Sequence, residues 1–304
     1  WVGSSQWATT QQIGGYMKEL YQVTEDADFD IEKQPIYYLD SNDQMEQEVE
    51  IPNRYALINS ITRKPLSVVS NKYKIRKYKD LVYKVNDVIQ EVGLSKNITV
   101  KDWVHSKGTK FRRDVYFWDQ GIAVKDHDKE KAIPHLRIYS SYDSTWAEQI
   151  IFGSVYVLCM NGLVRPEWQF KVYNRHNSNN DTVYTAKMFT EGLEAQKTLG
   201  KELFKLMQRK VTNDQVHDLF KGTLAKVQRN SLVSSHSDIA MRELGDLWDH
   251  YATSYGATMF AVYQSVTHWS SHPVTKGNAQ MVSRKREMKV IQMMNNHRWM
   301  RMGG

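Results

Sequence analysis

Residues 150–176 decide the fold class; from Ile151 onward they read IFGSVYVLCMNGLVRPEWQFKVYNRH. Residues 150–160 are mostly apolar and rich in β-branched and aromatic side chains, which suit a pleated, packed surface. The run is nearly continuous rather than alternating, so it predicts an interior strand covered on both faces. Asn161-Gly162 follows, a pair that supplies the positive φ of a tight turn. A shorter aromatic run, 168–173, then leads into Arg175-His176. Pro166 cannot donate to a strand ladder and belongs at an edge or a strand start. A two-residue hairpin at Asn161-Gly162 and a looser connection ending near Pro166 therefore both stay open.

On the N-terminal side the same β character continues. Residues 98–104, 111–118 and 135–142 predict strands, with a charged loop at 125–131. Further back, 55–61 and 66–75 predict two strands around the turn signal Thr62-Arg63-Lys64-Pro65. Between these groups lies a helix, 79–92. Leu81, Val82, Val85, Val88 and Ile89 recur at helical spacing there, and Gly93 stops it. Residues 25–50 are acidic around an apolar island, Ile36-Tyr37-Tyr38-Leu39, which predicts a strand docking on the body. Residues 1–15 are small and polar and predict a loose arm, with a short helix around 16–21.

On the C-terminal side, after the polar loop 174–181, the period changes from two to 3.6. A helix over 185–209 carries Leu199, Leu203, Leu206 and Met207 on one face. Asn213 caps a second helix through 227. A third starts at Ser237 or Asp238 and runs towards Trp269, weakened by Gly245 and Gly256. His272-Pro273 breaks the chain before a last, basic amphipathic helix over 281–294. Strands with one inserted helix, then a run of helices, make an α+β protein. Its N-terminal half is antiparallel and β-rich, and its C-terminal half is mainly helical. The expected division is an acidic leader (1–53), a β-rich core (54–184) and a helical region (185–304).

The 304 residues are 41% apolar and 25% charged, which is ordinary for a chain with a packed core. The net charge of +7 is unevenly placed. Residues 1–50 hold eleven acidic side chains against Lys18 and Lys33, a balance of −9, so the remainder carries +16. A basic body with an acidic leader points towards a polyanionic partner. The competing reading is a solvated basic surface with no such partner. For the leader, solvated loops compete with a DNA-mimicking or autoinhibitory segment that covers the basic surface.

The single cysteine, Cys159, excludes an intrachain disulfide and sits in apolar sequence, where it predicts a small core residue in a reducing compartment. No apolar run approaches the ~20 residues of a membrane span, and no secretory signal is visible, so no membrane is expected. The sequence has no GxSxG elbow, no GxxxxGK[ST] loop, no CxxC pair and no HExxH motif. His268 and His272 are four apart, but Ser270-Ser271 and Pro273 make a shared helical face doubtful. The expectation is a protein that is not an enzyme and holds neither metal nor cofactor.

Two basic-aromatic clusters carry the functional reading. The first holds Lys72, Lys74, Arg76, Lys77 and Lys79 with Tyr73. In a strand, Lys72, Lys74 and Arg76 would line one face and Tyr73 the other. The second holds Lys107, Lys110, Arg112 and Arg113 with Phe111 and Tyr116. Cations for phosphates and aromatic faces for bases are the two parts of a single-strand binding groove. Tyr73, Phe111 and Tyr116 are the stacking candidates. Arg175 and His176, next to a polar loop, are further phosphate candidates. Core aromatics with merely solvated cations are the competing reading.

The strand pair 54–76, the segment VLCMNGLV at 157–164, Arg175-His176 and the late AVYQSVTHW at 261–269 together resemble the phage/plasmid-like family known as domain of unknown function 932. The likeness spans roughly residues 54–294, and its most specific element is Cys-x-Asn-Gly in an apolar run. The resemblance implies a phage or mobile-element origin and action in a host cytoplasm. A hairpin sheet with a helix, followed by helices, is also similar to ATP-independent single-strand annealing proteins, by analogy of fold. Single-stranded DNA, with double-stranded DNA also open, and a homo-oligomer are then the expected partners. The alternative is a phage structural or host-interaction (anti-defence) protein that works through protein–protein contacts.

Overall fold

The computed structural model describes residues 20–42, 45–94, 96–123, 131–156, 161–163, 170–174, 176, 185–197, 199–224, 235–275 and 279–303. Three antiparallel strands open the fold: β1 (Ile31–Asn42), β2 (Met45–Asn59) and β3 (Pro65–Ser70). The Asn59 side chain organises the β2–β3 turn by accepting from the amides of Ile61 and Thr62, both at 2.9 Å. β2 begins ten residues before the strand expected at Tyr55, so residues 45–50 of the acidic segment are strand, as is Ile31–Asn42. The register between β1 and β2 shifts between Pro35 and Tyr37, where Asn53 has φ +61°. β3 pairs only with Arg54–Ile58 of β2. Beyond that point, among the described residues, β1 and β2 continue as a two-stranded ribbon.

Helix α1 (Tyr78–Glu91) buries Tyr78, Leu81, Val82, Val85, Val88 and Ile89, one apolar face at helical spacing. Gly93, at φ +72°, stops it. The Gly93 amide donates to Gln90 O and the Leu94 amide to Ile89 O, a glycine-dependent C-terminal cap. The stretch before α1 departs from expectation. β3 ends at Ser70, where the ladder to β2 ends, so residues 71–77 form a loop rather than the tail of a strand.

The second sheet runs in the order β10–β8–β7–β5–β4, with two short strands beside it. Its strands are β4 (Ile98–His105), β5 (Lys110–Phe117), β6 (Ile122–Ala123), β7 (Lys131–Ser141), β8 (Glu148–Tyr156), β9 (Asn161–Leu163) and β10 (Phe170–Asn174). β8 is interior, as its continuous apolar run predicts. The Asn-Gly pair does not make a turn: Tyr156 pairs with Asn161 and Val155 with Gly162, so both residues belong to β9. Residues 157–160, including Cys159, lie outside the described residues.

Among the described residues six further helices of eight residues or more follow: α2 (Ala186–Lys197), α3 (Leu199–Gln208), α4 (Asn213–Leu224), α5 (Ser235–Tyr255), α6 (Met259–Ser271) and α7 (Ala279–Met294); the short α8 (His297–Arg301) comes after them. Thr212, one residue before the expected cap, starts α4: its hydroxyl accepts from the Gln215 amide and Gln215 Oε1 from the Thr212 amide. The expected long helix towards Trp269 breaks at Gly256 (φ +71°), and Thr258 caps α6. α6 is buried on nearly every side, with α3, α5 and α7 packed against it.

The fold is thus α+β, with antiparallel sheets before a mainly helical half. The described residues belong to two compact units. One lies within Trp1–Asp119, His135–Phe152 and Lys171–Thr190; the other lies within Gln120–Pro134, Gly153–Phe170 and Glu191–Gly304. The first has a core of Phe29, Leu57, Val69, Tyr78, Val82, Phe111 and Tyr142. The core of the second is built from the helices around α6.

Candidate nucleic-acid interface

The β4–β5 connection is four residues long, and three of them take positive φ: Ser106 (+50°), Lys107 (+58°) and Gly108 (+93°). This turn lies at the end of the sheet where β7 finishes and β8 begins. Two other segments are fastened to the same end. The Tyr78 hydroxyl donates to Thr109 O at 2.8 Å and Gly108 O at 3.1 Å, which ties the start of α1 to the turn. The Tyr73 hydroxyl donates to Ser141 O at 2.9 Å, and Ser141 is the strand partner of Lys110. The Lys74 amide donates to His176 O at 2.7 Å, and the Tyr73 ring stacks on the His176 ring at 4.9 Å. His176 Nε2 lies 3.2 Å from Trp146 O, and Lys110 Nζ stands 5.9 Å from the Trp146 ring centre. The two clusters separated by some thirty residues of sequence therefore meet, and His176 joins them.

Within this region the cations divide into two sets. Lys77 pairs with Asp30 (2.6 Å), Lys79 with Asp28 (3.2 Å), Lys110 with Asp143 (2.8 Å) and Arg76 with Glu148 (3.5 Å). Burial works to raise the Asp143 carboxyl, but Lys110 and Thr145 overcome it and hold the group below its ordinary value. Lys72, Lys74 and Lys107 are exposed, and their ammonium groups make no hydrogen bond or ion pair with another described residue. Of the expected phosphate contacts in this region, these three remain open to solvent.

The remaining expectations are corrected by burial. Arg112 is 6% exposed and Arg113 is fully buried. Arg112 grips Asp114 and lies over the Trp103 ring at 4.6 Å. Arg113 forms a two-pronged pair with Asp102, both contacts at 2.7 Å, and donates to Leu20 O and Gln22 O. Both guanidiniums are thus buried and already engaged by protein partners. The stacking candidates are also inside: Tyr73 stacks on His176, Phe111 on Tyr78 and Tyr116 on His135, each at 4.9 Å. Their faces are used by the core, so none of the three is free to stack on a base. Burial holds the His176 imidazole below its ordinary value, so it brings no charge at neutral pH. Arg175 lies outside the described residues.

One constellation went unread in the sequence. On one face of β4, β5 and β7, Arg112, Asp114 and Tyr116 lie across from Tyr139, Arg137 and His135. Burial by itself would raise the fully buried Asp114 carboxyl; Arg112 and Arg137 overcome that and hold it well below the carboxylate range. Burial lowers His135 against the pull of Asp114, so the imidazole stays neutral. The Tyr116 hydroxyl donates to Asp114 at 3.2 Å, and burial pushes its own ionisation up. A carboxylate pinned between two guanidiniums is a poor base, and this cluster acts as a lock between strands. Alternation in 110–117 is the signal that was available, since Arg112 and Asp114 share a face two residues apart.

Among the described residues no group of three or more His, Cys, Asp or Glu side chains is placed to hold a metal ion, and no helix is long and apolar enough to cross a membrane. No curated protein matches the chain. The family model described as Domain of unknown function (DUF932) matches residues 65–298, well over half of the chain, and the chain belongs to that family.

Proposed function

We propose that the chain binds single-stranded DNA without ATP, by phosphate contacts at the turn end of the second sheet, and serves strand annealing in recombination or replication. The phage setting and the host cytoplasm follow from the family resemblance and are part of the same reading. The observation that carries it is that the segments bearing Lys72, Lys74 and Lys107 are fastened together at the turn end of the second sheet. The lysines come from two separate segments, their ammonium groups are exposed, and the body beyond residue 50 carries +16. Lysines without carboxylate partners on a basic body release counterions from a phosphate backbone without first giving up an ion pair. Paired Lys77, Lys79, Lys110 and Arg76 position the loop and the turn rather than the strand.

The test is fluorescence anisotropy with labelled single- and double-stranded oligonucleotides across salt. Binding should be tighter to the single strand and fall with salt. Replacing Lys72, Lys74 and Lys107 together with alanine should reduce the log–log salt slope by about 2, at ~0.7 per phosphate contact. An unchanged slope would remove these lysines from any site.

A specific feature favours a second reading, protein–protein contact. Tyr37, Tyr38 and Leu39 are 49%, 50% and 62% exposed in succession on a strand. Three large apolar side chains in a row at a surface suit a protein partner better than a phosphate backbone. Absence of oligonucleotide binding at low salt would make this the leading function, with a phage structural or anti-defence role.

A further inference from the structure

Among the described residues, no third strand pairs with the outer part of the β1–β2 pair. Its six pairs run from Tyr37↔Glu50 to Asn42↔Met45, a length of about 20 Å at ~3.4 Å per residue. A two-stranded ribbon is at best marginal in water on its own. Opposed residues project from the same side, so Tyr37 and Leu39 share a face with Glu50, Glu48 and Glu46. All five of these side chains are exposed. Asp40 adds a fourth carboxylate, and no lysine or arginine lies within these twelve residues.

Helix α7 presents a complementary surface. Lys285, Met288, Lys289 and Gln292 recur at i, i+3, i+4 and i+7 and so form one face. Lys285, Met288 and Gln292 are exposed, Met288 by 52%, and Lys289 is half-buried. Neither lysine makes an ion pair with another described residue. Carboxylates two apart on a strand repeat every ~6.7 Å. Lysines four apart on a helix repeat every ~6 Å. The spacings match, and an apolar residue stands beside the charges on each surface.

We infer that the outer ribbon of one chain docks on the outward face of α7 in a second copy of the chain. Glu46, Glu48 and Glu50 meet Lys285 and Lys289, while Tyr37 and Leu39 cover Met288. The ribbon then gains a packing partner beyond its own two strands, and desolvated ion pairs set its register. The contact requires no nucleic acid, and its test contains none.

The test is sedimentation velocity of nuclease-treated full-length chain across concentration, at about 0.1 M and about 1 M salt, where screening lengths are ~10 Å and ~3 Å. The wild type should associate at the lower salt and dissociate at the higher. Glu46→Lys with Glu48→Lys and Glu50→Lys should weaken association about tenfold or more, and so should Lys285→Glu with Lys289→Glu. Each variant alone places like charges on both surfaces. Mixing the two restores an opposite-charge contact, so the mixture should associate where neither does. All substituted positions lie outside the buried cores, and melting curves check that both variants fold. A wild type that stays monomeric, a variant that associates like the wild type, or a mixture that stays apart would each overturn the inference.

Discussion

Replacing Arg113 with alanine separates a buried clamp from a phosphate contact. The side chain is 1% exposed and makes four hydrogen bonds: two to Asp102 and one each to the carbonyls of Leu20 and Gln22. At ~1.5–3 kcal/mol for each bond to a charged group, a simple sum would exceed 6 kcal/mol. That sum is too high, because Asp102 is 12% exposed and Gln22 is exposed, so water repays part of the loss. Breaking a buried pair by removing one partner costs ~3–5 kcal/mol, and this is the expected range. It is a large part of the ~5–15 kcal/mol that holds a domain together. Urea unfolding followed by circular dichroism should show a midpoint about 2 M lower, taking a slope of ~2 kcal/mol/M. Arg113→Lys keeps the charge and loses the fork, and should fall between the two. Single-stranded DNA affinity, measured at low temperature where the variant is folded, should stay near the wild-type value. An unchanged midpoint together with a tenfold loss of DNA affinity would refute the clamp and return Arg113 to the binding surface.

Acid stability offers a second check. Burial, with His272 and His250 nearby, pushes His268 down to about 4, and the Tyr251 hydroxyl lies 2.7 Å from its Nδ1. Between the unfolded value of ~6.5 and about 4 the unfolded chain binds a proton that the folded chain does not. Stability from this group is therefore complete above ~6.5 and lost as pH falls towards about 4. The loss is about 1–2 kcal/mol after discounting for the part of the ring that meets solvent. Melting curves from pH 7 to 4 should fall more steeply for the wild type than for His268→Gln; parallel curves would exclude the effect. Gly108 and Gly93 make a matched pair. Gly93→Ala meets open space at φ +72° and should cost about 1 kcal/mol. Gly108→Ala, at φ +93°, would place a methyl 2.7 Å from Phe29 Cζ and should cost about 2–3 kcal/mol. Equal melting temperatures for the two variants would show that Phe29 yields freely.

The sequence by itself determined what depends on local pattern. Period-two and period-3.6 stretches separated the β-rich half from the helical half, because side-chain direction follows backbone geometry residue by residue. Gly93 marked a helix end because positive φ is a local property, whereas Gly256 read only as a weak point in a helix that in fact breaks there. The resemblance around residues 157–164 and 261–269 identified the family. Tertiary structure alone decided which charges are available. Lys72 and Arg112 look alike in sequence, yet one is exposed and the other grips Asp114 beneath Trp103. Asn161-Gly162 looked like a turn and is strand, because pairing with Val155 and Tyr156 outweighs a weak local preference. Arg113 finds its partners in Asp102 and in residues 20–22, some ninety positions away. Whether a cation faces water or a buried carboxylate depends on which distant segments pack over it, and the spacing of residues along the chain does not encode that.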